Sequence, residues 1–206
     1  MLLPIDPQEP QPWLVARAAQ TLRSGGVAVV PTDTVYALAC ALDSRPAVER
    51  LYAVKGITPA KRLSLLVPDL ASASRYARGM TTPVFRMMRR VLPGPYTFIF
   101  QATGEVPKVM LRKRRTVGIR CPDAPITLAI LAELGQPLLT TSVRSDDDAF
   151  VVDPVTIEDE LGAQVDLVVD GGLLGTVPST VVDLSEDEPV LVREGKGDPG
   201  ALELFP

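Results

Sequence analysis

The chain has 206 residues, 46% hydrophobic and 22% charged, with a formal net charge of −4. That balance fits one soluble globular domain and excludes a wholly basic nucleic-acid binder, and the apolar runs fall far short of the roughly 20 residues a membrane helix needs. Histidine is absent, which removes Ser-His-Asp and Cys-His catalysis, imidazole acid–base chemistry and His-rich zinc sites together.

The opening MLLPIDPQEPQPW has neither a basic leader nor a sustained apolar segment, so it predicts an N-terminal extension over about residues 1–12 and a cytoplasmic chain. From Trp13, apolar and small residues recur at helical spacing as far as Leu22, and Ser24-Gly25-Gly26 supplies the stop. Val27–Val30 is a short apolar run rich in β-branched residues, expected of a strand buried on both faces and closed by Pro31. Arg45–Lys55 reads as a helix ended by Gly56, and residues 63–67 as the next strand. Asp69 can cap a helix over roughly 70–77, and Thr82-Pro83 can open another running to Val91 before Pro93-Gly94-Pro95 ends it.

Residues 96–101 and Thr116–Arg120 follow as strands, Pro125–Leu134 as a helix closed by Gly135, and 138–143 as a further strand. A short helix over 156–161 precedes strands at 165–169, 180–184 and 189–193. The last strands lie too close together for helical crossovers, so the sheet must be mixed. The expected architecture is α/β: a single domain over 1–206 with one twisted mixed sheet, flanking helices and no second domain. Cys40 and Cys121 are too few for a disulfide framework or a thiolate metal cage and read as core thiols.

No P-loop and no strand-following GxGxxG occurs, so a phosphate site would be built otherwise. Polar residues at strand ends are the candidates: Thr32-Asp33-Thr34, Lys55, Arg120, Thr140-Thr141-Ser142 with Arg144, Ser179-Thr180, and Arg193. Each has a plainer reading. The Thr32-Asp33-Thr34 stretch is also a capped turn, the hydroxyls suit strands, and Arg120 ending an apolar strand needs either a structural ion pair or a cleft. Residues 108–120 are strongly basic, whereas residues 146–160 are acidic. The run Arg112-Lys113-Arg114-Arg115 is either a solvated edge that discourages strand pairing or a contact for RNA phosphates, and the lack of interleaved aromatics favours the edge.

The ordered segments GGVAVVPTDTVYALAC, LYAVKG, LSLLV, LPGPYTFIF, TVGIRCP, PLLTTS, DGGLLGTVPSTVVD and VLVREG together resemble the YrdC-like family over about residues 25 to 197. KRRTVGIRCP, TTSVR and LVREG are most like its YciO branch. The resemblance implies a twisted α/β domain with a concave cationic cleft. It further implies synthesis of threonylcarbamoyl-adenylate and pyrophosphate from L-threonine, bicarbonate and ATP, with Mg²⁺, as a step toward threonylcarbamoyladenosine in tRNA. By position, Thr34, Arg120 and Ser142 are implied as substrate contacts. Lys55, Thr116, Ser142, Ser179 and Arg193 are implied as nucleotide contacts, with Lys55 and Arg120 in the chemistry. Thr32 and Thr180 carry no firm role.

Two departures stand out. The family's Lys-x-Arg is here Lys55-Gly56-Ile57, and its Ser-x-Asn is Ser142-Val143-Arg144. Lys61, Arg62 or Arg144 could replace the lost guanidinium, although an ammonium and a planar fork are not equivalent. The expectation is therefore a weak threonylcarbamoyl-AMP synthase. The alternatives are a tRNA-, double-stranded RNA- or nucleotide-binding protein without efficient synthase activity, and a related reaction on another small acid.

Overall fold

A computed structural model of the chain describes residues 1–56, 63–108, 110–111, 115–145 and 147–204. In chain order the elements are β1 (Leu2–Pro4), α1 (Pro12–Arg23), β2 (Val27–Val30), β3 (Ala37–Ala41), α2 (Arg45–Lys55), β4 (Ser64–Leu66), α3 (Leu70–Ser74), β5 (Ala77–Arg78), α4 (Thr82–Val91), β6 (Tyr96–Ala102), β7 (Thr116–Arg120), α5 (Pro125–Leu134), β8 (Leu138–Ser142), α6 (Pro154–Leu161), β9 (Leu167–Asp170), β10 (Thr180–Asp183) and β11 (Val190–Arg193), with a 3-10 turn at Pro199–Leu202. Helices α1, α2, α4, α5 and α6 each carry proline in their first two positions, where a missing N–H costs nothing.

All eleven strands join one mixed sheet in the order β1-β9-β2-β3-β8-β4-β7-β6-β10-β11, with β5 paired to β6 beside this path. β10 runs parallel to β6 and antiparallel to β11, as the short last connection requires. The expected N-terminal extension is in part sheet: Leu2–Pro4 pairs in parallel with β9 and forms one edge. β3 is a strand that periodicity does not reveal. Its ALACA is apolar throughout because both faces are covered, and it lies between β2 and β8. The helix expected over 70–77 stops at Ser74, since residues 77–78 turn back to pair with β6.

The two faces of the sheet are treated unequally. On one face, Leu38, Cys40, Leu65, Leu139, Val117, Ile119, Phe98, Phe100 and Val182 pack with α2 and α4 into the larger core. On the other, α1 and α5 cover Ala28, Val30, Ala37, Ala39, Ala41, Leu66, Leu138 and Val169. That second cover ends at Leu66 and Leu138. The same face of β8, β4, β7, β6 and β10 continues beyond it with small and polar side chains together with Ile99 and Val181, and a cavity opens there.

Candidate functional site

Strand alternation builds the open face. In β7, Val117 and Ile119 enter the core while Gly118 and Arg120 line a cavity of about 420 Å³. In β6, Phe98 and Phe100 point to the core while Thr97 and Ile99 line the cavity. In β8, Leu138 lies under α5 while Thr140 and Ser142 line the cavity. Register carries one row across the floor: Thr140 opposes Ser64, Ser64 opposes Gly118, and Gly118 opposes Ile99. A Cβ on Gly118 would stand 2.9 Å from Ser64 Oγ and 3.4 Å from Thr97 Cγ2. The glycine keeps the middle of the floor low.

At one end sits the turn after β2. Arg120 Nη2 donates to Thr34 Oγ1 at 2.7 Å and Thr32 Oγ1 at 3.1 Å, and it forms an ion pair with Asp33 Oδ1. The side chains of Arg120 and Asp33 are only 9% and 8% exposed. Burial draws the guanidinium below the ordinary arginine range, and the Asp33 charge and hydrogen bond push the other way. Among the described residues, Arg120 Nε and Asp33 Oδ2 are buried without a hydrogen-bond partner. Thr32 Oγ1 also donates to Val35 O at 2.6 Å, tightening the turn. Tyr36 anchors its far side: its hydroxyl donates to Gly172 O at 2.7 Å and accepts from Gly171 N at 3.1 Å, and burial raises it to about 12. Lys196, which no sequence pattern singled out, donates from Nζ to Asp33 O at 2.6 Å.

At the other end, edge strand β11 delivers Arg193. Its Nε and Nη2 donate to Ser179 O at 3.0 and 2.7 Å, and Ser179 Oγ lies 2.8 Å from Thr97 Oγ1. The approach needs Gly195, because a Cβ there would lie 2.3 Å from Pro178 O. Burial first, then the charges of Arg144 and Arg120, draw Arg193 below its usual value. Two guanidinium groups, Arg120 and Arg193, thus line one cleft, and its described lining residues include no carboxylate. Such a surface attracts anions.

Of the seven residues implied by resemblance, Thr34, Arg120, Ser142, Ser179 and Arg193 line the cavity together. Thr116 does not line it but sits on the same face of β7, two residues beyond Gly118. Lys55 does not line it either. It closes α2, a helix whose Val48, Leu51 and Tyr52 pack on the opposite face of the sheet. Ile57, Lys61 and Arg62 lie outside the described residues, as do Arg112, Lys113 and Arg114 of the basic run. The ion-pair reading of Arg120 and its cleft reading both hold, because the residue does both. Ser64, Thr97 and Gly118 escaped sequence reasoning, although alternation in β6 and β7 carries the signal for two of them.

Comparison with known proteins gives the family and the fold. The Sua5_yciO_yrdC family model, described as Telomere recombination, matches residues 20–195. Escherichia coli YciO is 43% identical over 196 residues, covering 94% of this chain and 95% of that protein. Its crystal structure superposes with a TM-score of 0.92 over 98% of each chain. A mouse threonylcarbamoyl-AMP synthase is 35% identical over 175 residues, 82% of this chain and 61% of that protein. A P. abyssi Sua5 complexed with L-threonine has a TM-score of 0.89 at 25% identity, over 95% of this chain and 57% of that one.

Proposed function

The chain belongs to the Sua5/YciO/YrdC family, and from that premise we propose that its cleft binds L-threonine and ATP and joins them, with bicarbonate, into threonylcarbamoyl-adenylate at a modest rate. One observation carries the reading: Arg120 and Arg193 line a single hydroxyl-rich cavity without a carboxylate in its described lining. The likeness to a threonylcarbamoyl-AMP synthase and to a Sua5 complexed with L-threonine supports the substrate class.

In this reading the amino acid lies at the Arg120 end. Arg120 Nη2 is already committed to the turn, so the substrate carboxylate meets the guanidinium's other donors and the Thr34 hydroxyl. Asp33 and Thr32 hold the guanidinium in place and so lower the cost of ordering it on binding. The threonine nitrogen and bicarbonate form a carbamate with loss of water. A carbamate oxygen then bonds to the α-phosphorus of ATP, the bond to the β-phosphate breaks, and pyrophosphate leaves toward Ser179 and Arg193. The chain's part is positioning and charge stabilisation, the means left to a protein without histidine. Among the described residues no three His, Cys, Asp or Glu side chains gather to hold a metal ion. Mg²⁺ usually keeps several waters and binds through one or two carboxylates plus substrate phosphates, so a divalent ion enters this reading as the counterion of the nucleotide.

The test is pyrophosphate release by purified chain given ATP, bicarbonate and Mg²⁺, with and without L-threonine. Threonine-dependent release that disappears in Arg120→Ala supports the reading. Release that ignores threonine, or none over a prolonged incubation, overturns it. A second reading, binding of tRNA or double-stranded RNA, is favoured by one observation. Residues 75–115 hold ten Lys or Arg and a single carboxylate, Glu105, on a chain whose net charge is negative. RNA association that does not weaken with rising salt would remove that reading.

A further inference from the structure

Beyond β11 the chain stays against the strands that carry the cleft. Residues 194–198 form a strap along the start of β10: Lys196 N donates to Pro178 O at 2.8 Å, Gly195 N donates to Thr180 Oγ1 at 3.0 Å, and that hydroxyl donates to Gly197 O. A Cβ on Gly197 would stand 2.5 Å from Tyr96 Cε1, and the Tyr96 hydroxyl donates to Asp198 O at 3.1 Å. The main chain on either side of Lys196 is therefore fixed. From this anchored backbone the Lys196 side chain reaches the opposite end of the cleft, where Nζ donates to Asp33 O at 2.6 Å.

Asp33 is thus held twice. Arg120 takes its carboxylate, and Lys196 takes its carbonyl. That carbonyl belongs to the planar peptide leading into Thr34, whose hydroxyl accepts from Arg120 and which lines the cavity. Orienting the peptide therefore orients Thr34. The two holds differ in kind. The Arg120–Asp33 pair is buried and secures the turn to the sheet, whereas Lys196 is exposed. Lys196 is not among the described residues of the cavity lining, so its effect on a ligand passes through the turn. Shortening or neutralising its side chain leaves the main-chain bonds to Pro178 and Thr180 standing, and with them the Ser179–Arg193 end.

We propose that Lys196 is a positioning residue for the amino-acid end of the cleft: from the strap it fixes the Asp33–Thr34 peptide, so that Thr34 and Arg120 meet the substrate carboxylate already oriented. This rests on the reading that places L-threonine at the Arg120 end. A turn ordered beforehand loses less freedom on binding, so Lys196 contributes to affinity for the amino acid and not for the nucleotide.

Isothermal titration of the full chain with L-threonine and, separately, with ATP tests this in wild type, Lys196→Met and Lys196→Arg, with thermal melts alongside. Lys196→Met should lose about three- to tenfold in L-threonine affinity, the size of one hydrogen bond from a charged donor at an exposed site, and less than about twofold in ATP affinity. Its melting temperature should stay within about 3 °C of wild type, as for a surface substitution. Lys196→Arg keeps a cationic donor for the carbonyl and should lose less than about twofold for either ligand. Unchanged L-threonine affinity in Lys196→Met, equal losses for the two ligands, a larger fall in melting temperature, or no recovery in Lys196→Arg would each overturn the proposal while the cleft reading stands. Absence of L-threonine binding by the wild type would sink both.

Discussion

Replacing Arg120 by methionine isolates the contribution of the buried ion pair that joins the Thr32–Thr34 turn to β7. Methionine keeps the apolar stem and some of the length while removing the charge. Asp33 would then keep a buried carboxylate whose Oδ2 already has no partner among the described residues and whose Oδ1 has lost its guanidinium. Removing one member of a pair so deeply buried costs about 3–5 kcal/mol, mostly from the charge left behind. Removing both, as Arg120→Met with Asp33→Asn, leaves no stranded charge and should cost no more than about 1–2 kcal/mol. For a chain of this length each kcal/mol moves the melting temperature by about 2–4 °C, so the single variant should melt about 6–20 °C lower and the double variant only a few degrees lower. Urea titration alongside the melts would show whether the slope m stays constant, as a comparison of stabilities needs. A single variant within about 3 °C of wild type, or a double variant no better than the single, refutes the reasoning: the turn would then be held by its hydroxyl contacts alone.

Two further outcomes follow from the same geometry. Gly118→Val should cost about 1–3 kcal/mol of stability, because its Cβ would already stand 2.9 Å from Ser64 Oγ, and lose at least about tenfold in affinity for ATP or L-threonine by filling the cleft floor; undiminished affinity in the folded variant would place the ligands elsewhere. Burial pushes Cys40 up to about 12 and Cys121 up to about 11, so at pH 8 a thiol reagent should leave both unmodified in the folded chain and titrate two thiols once it is unfolded; rapid labelling of the native protein would contradict this core.

Much of the fold is legible in the chain because punctuation and periodicity agree. Gly56 and Gly135 end α2 and α5 with left-handed φ values of 63° and 75°, and prolines open five helices where no N–H is missed. β3 is hidden for a physical reason: a strand covered on both faces has no polar phase to alternate with, and ALACA reads equally well as helix. The cleft is half legible. Thr116–Arg120 and residues 96–101 alternate small or polar with large apolar, but only the position of α1 and α5 decides which phase faces solvent. Lys55 closes α2, which packs on the other side of the sheet, and it is not among the described residues of the cavity lining. The Lys196 contact with Asp33 depends on the chain folding back over 163 residues, a distance that no local pattern encodes.

The unequal treatment of the sheet's two faces bears on how such a protein can change. Val117, Ile119, Phe98 and Phe100 hold the strands from one side, while Gly118, Thr97, Ser64 and Thr140 line the cavity on the other. Successive residues of one strand therefore answer to different demands. A replacement at a cleft-facing position alters what is recognised without opening a void in the core, whereas its immediate neighbour tolerates almost no change of volume. Chemistry can drift on a scaffold of this kind one side chain at a time, with the fold standing still beneath it.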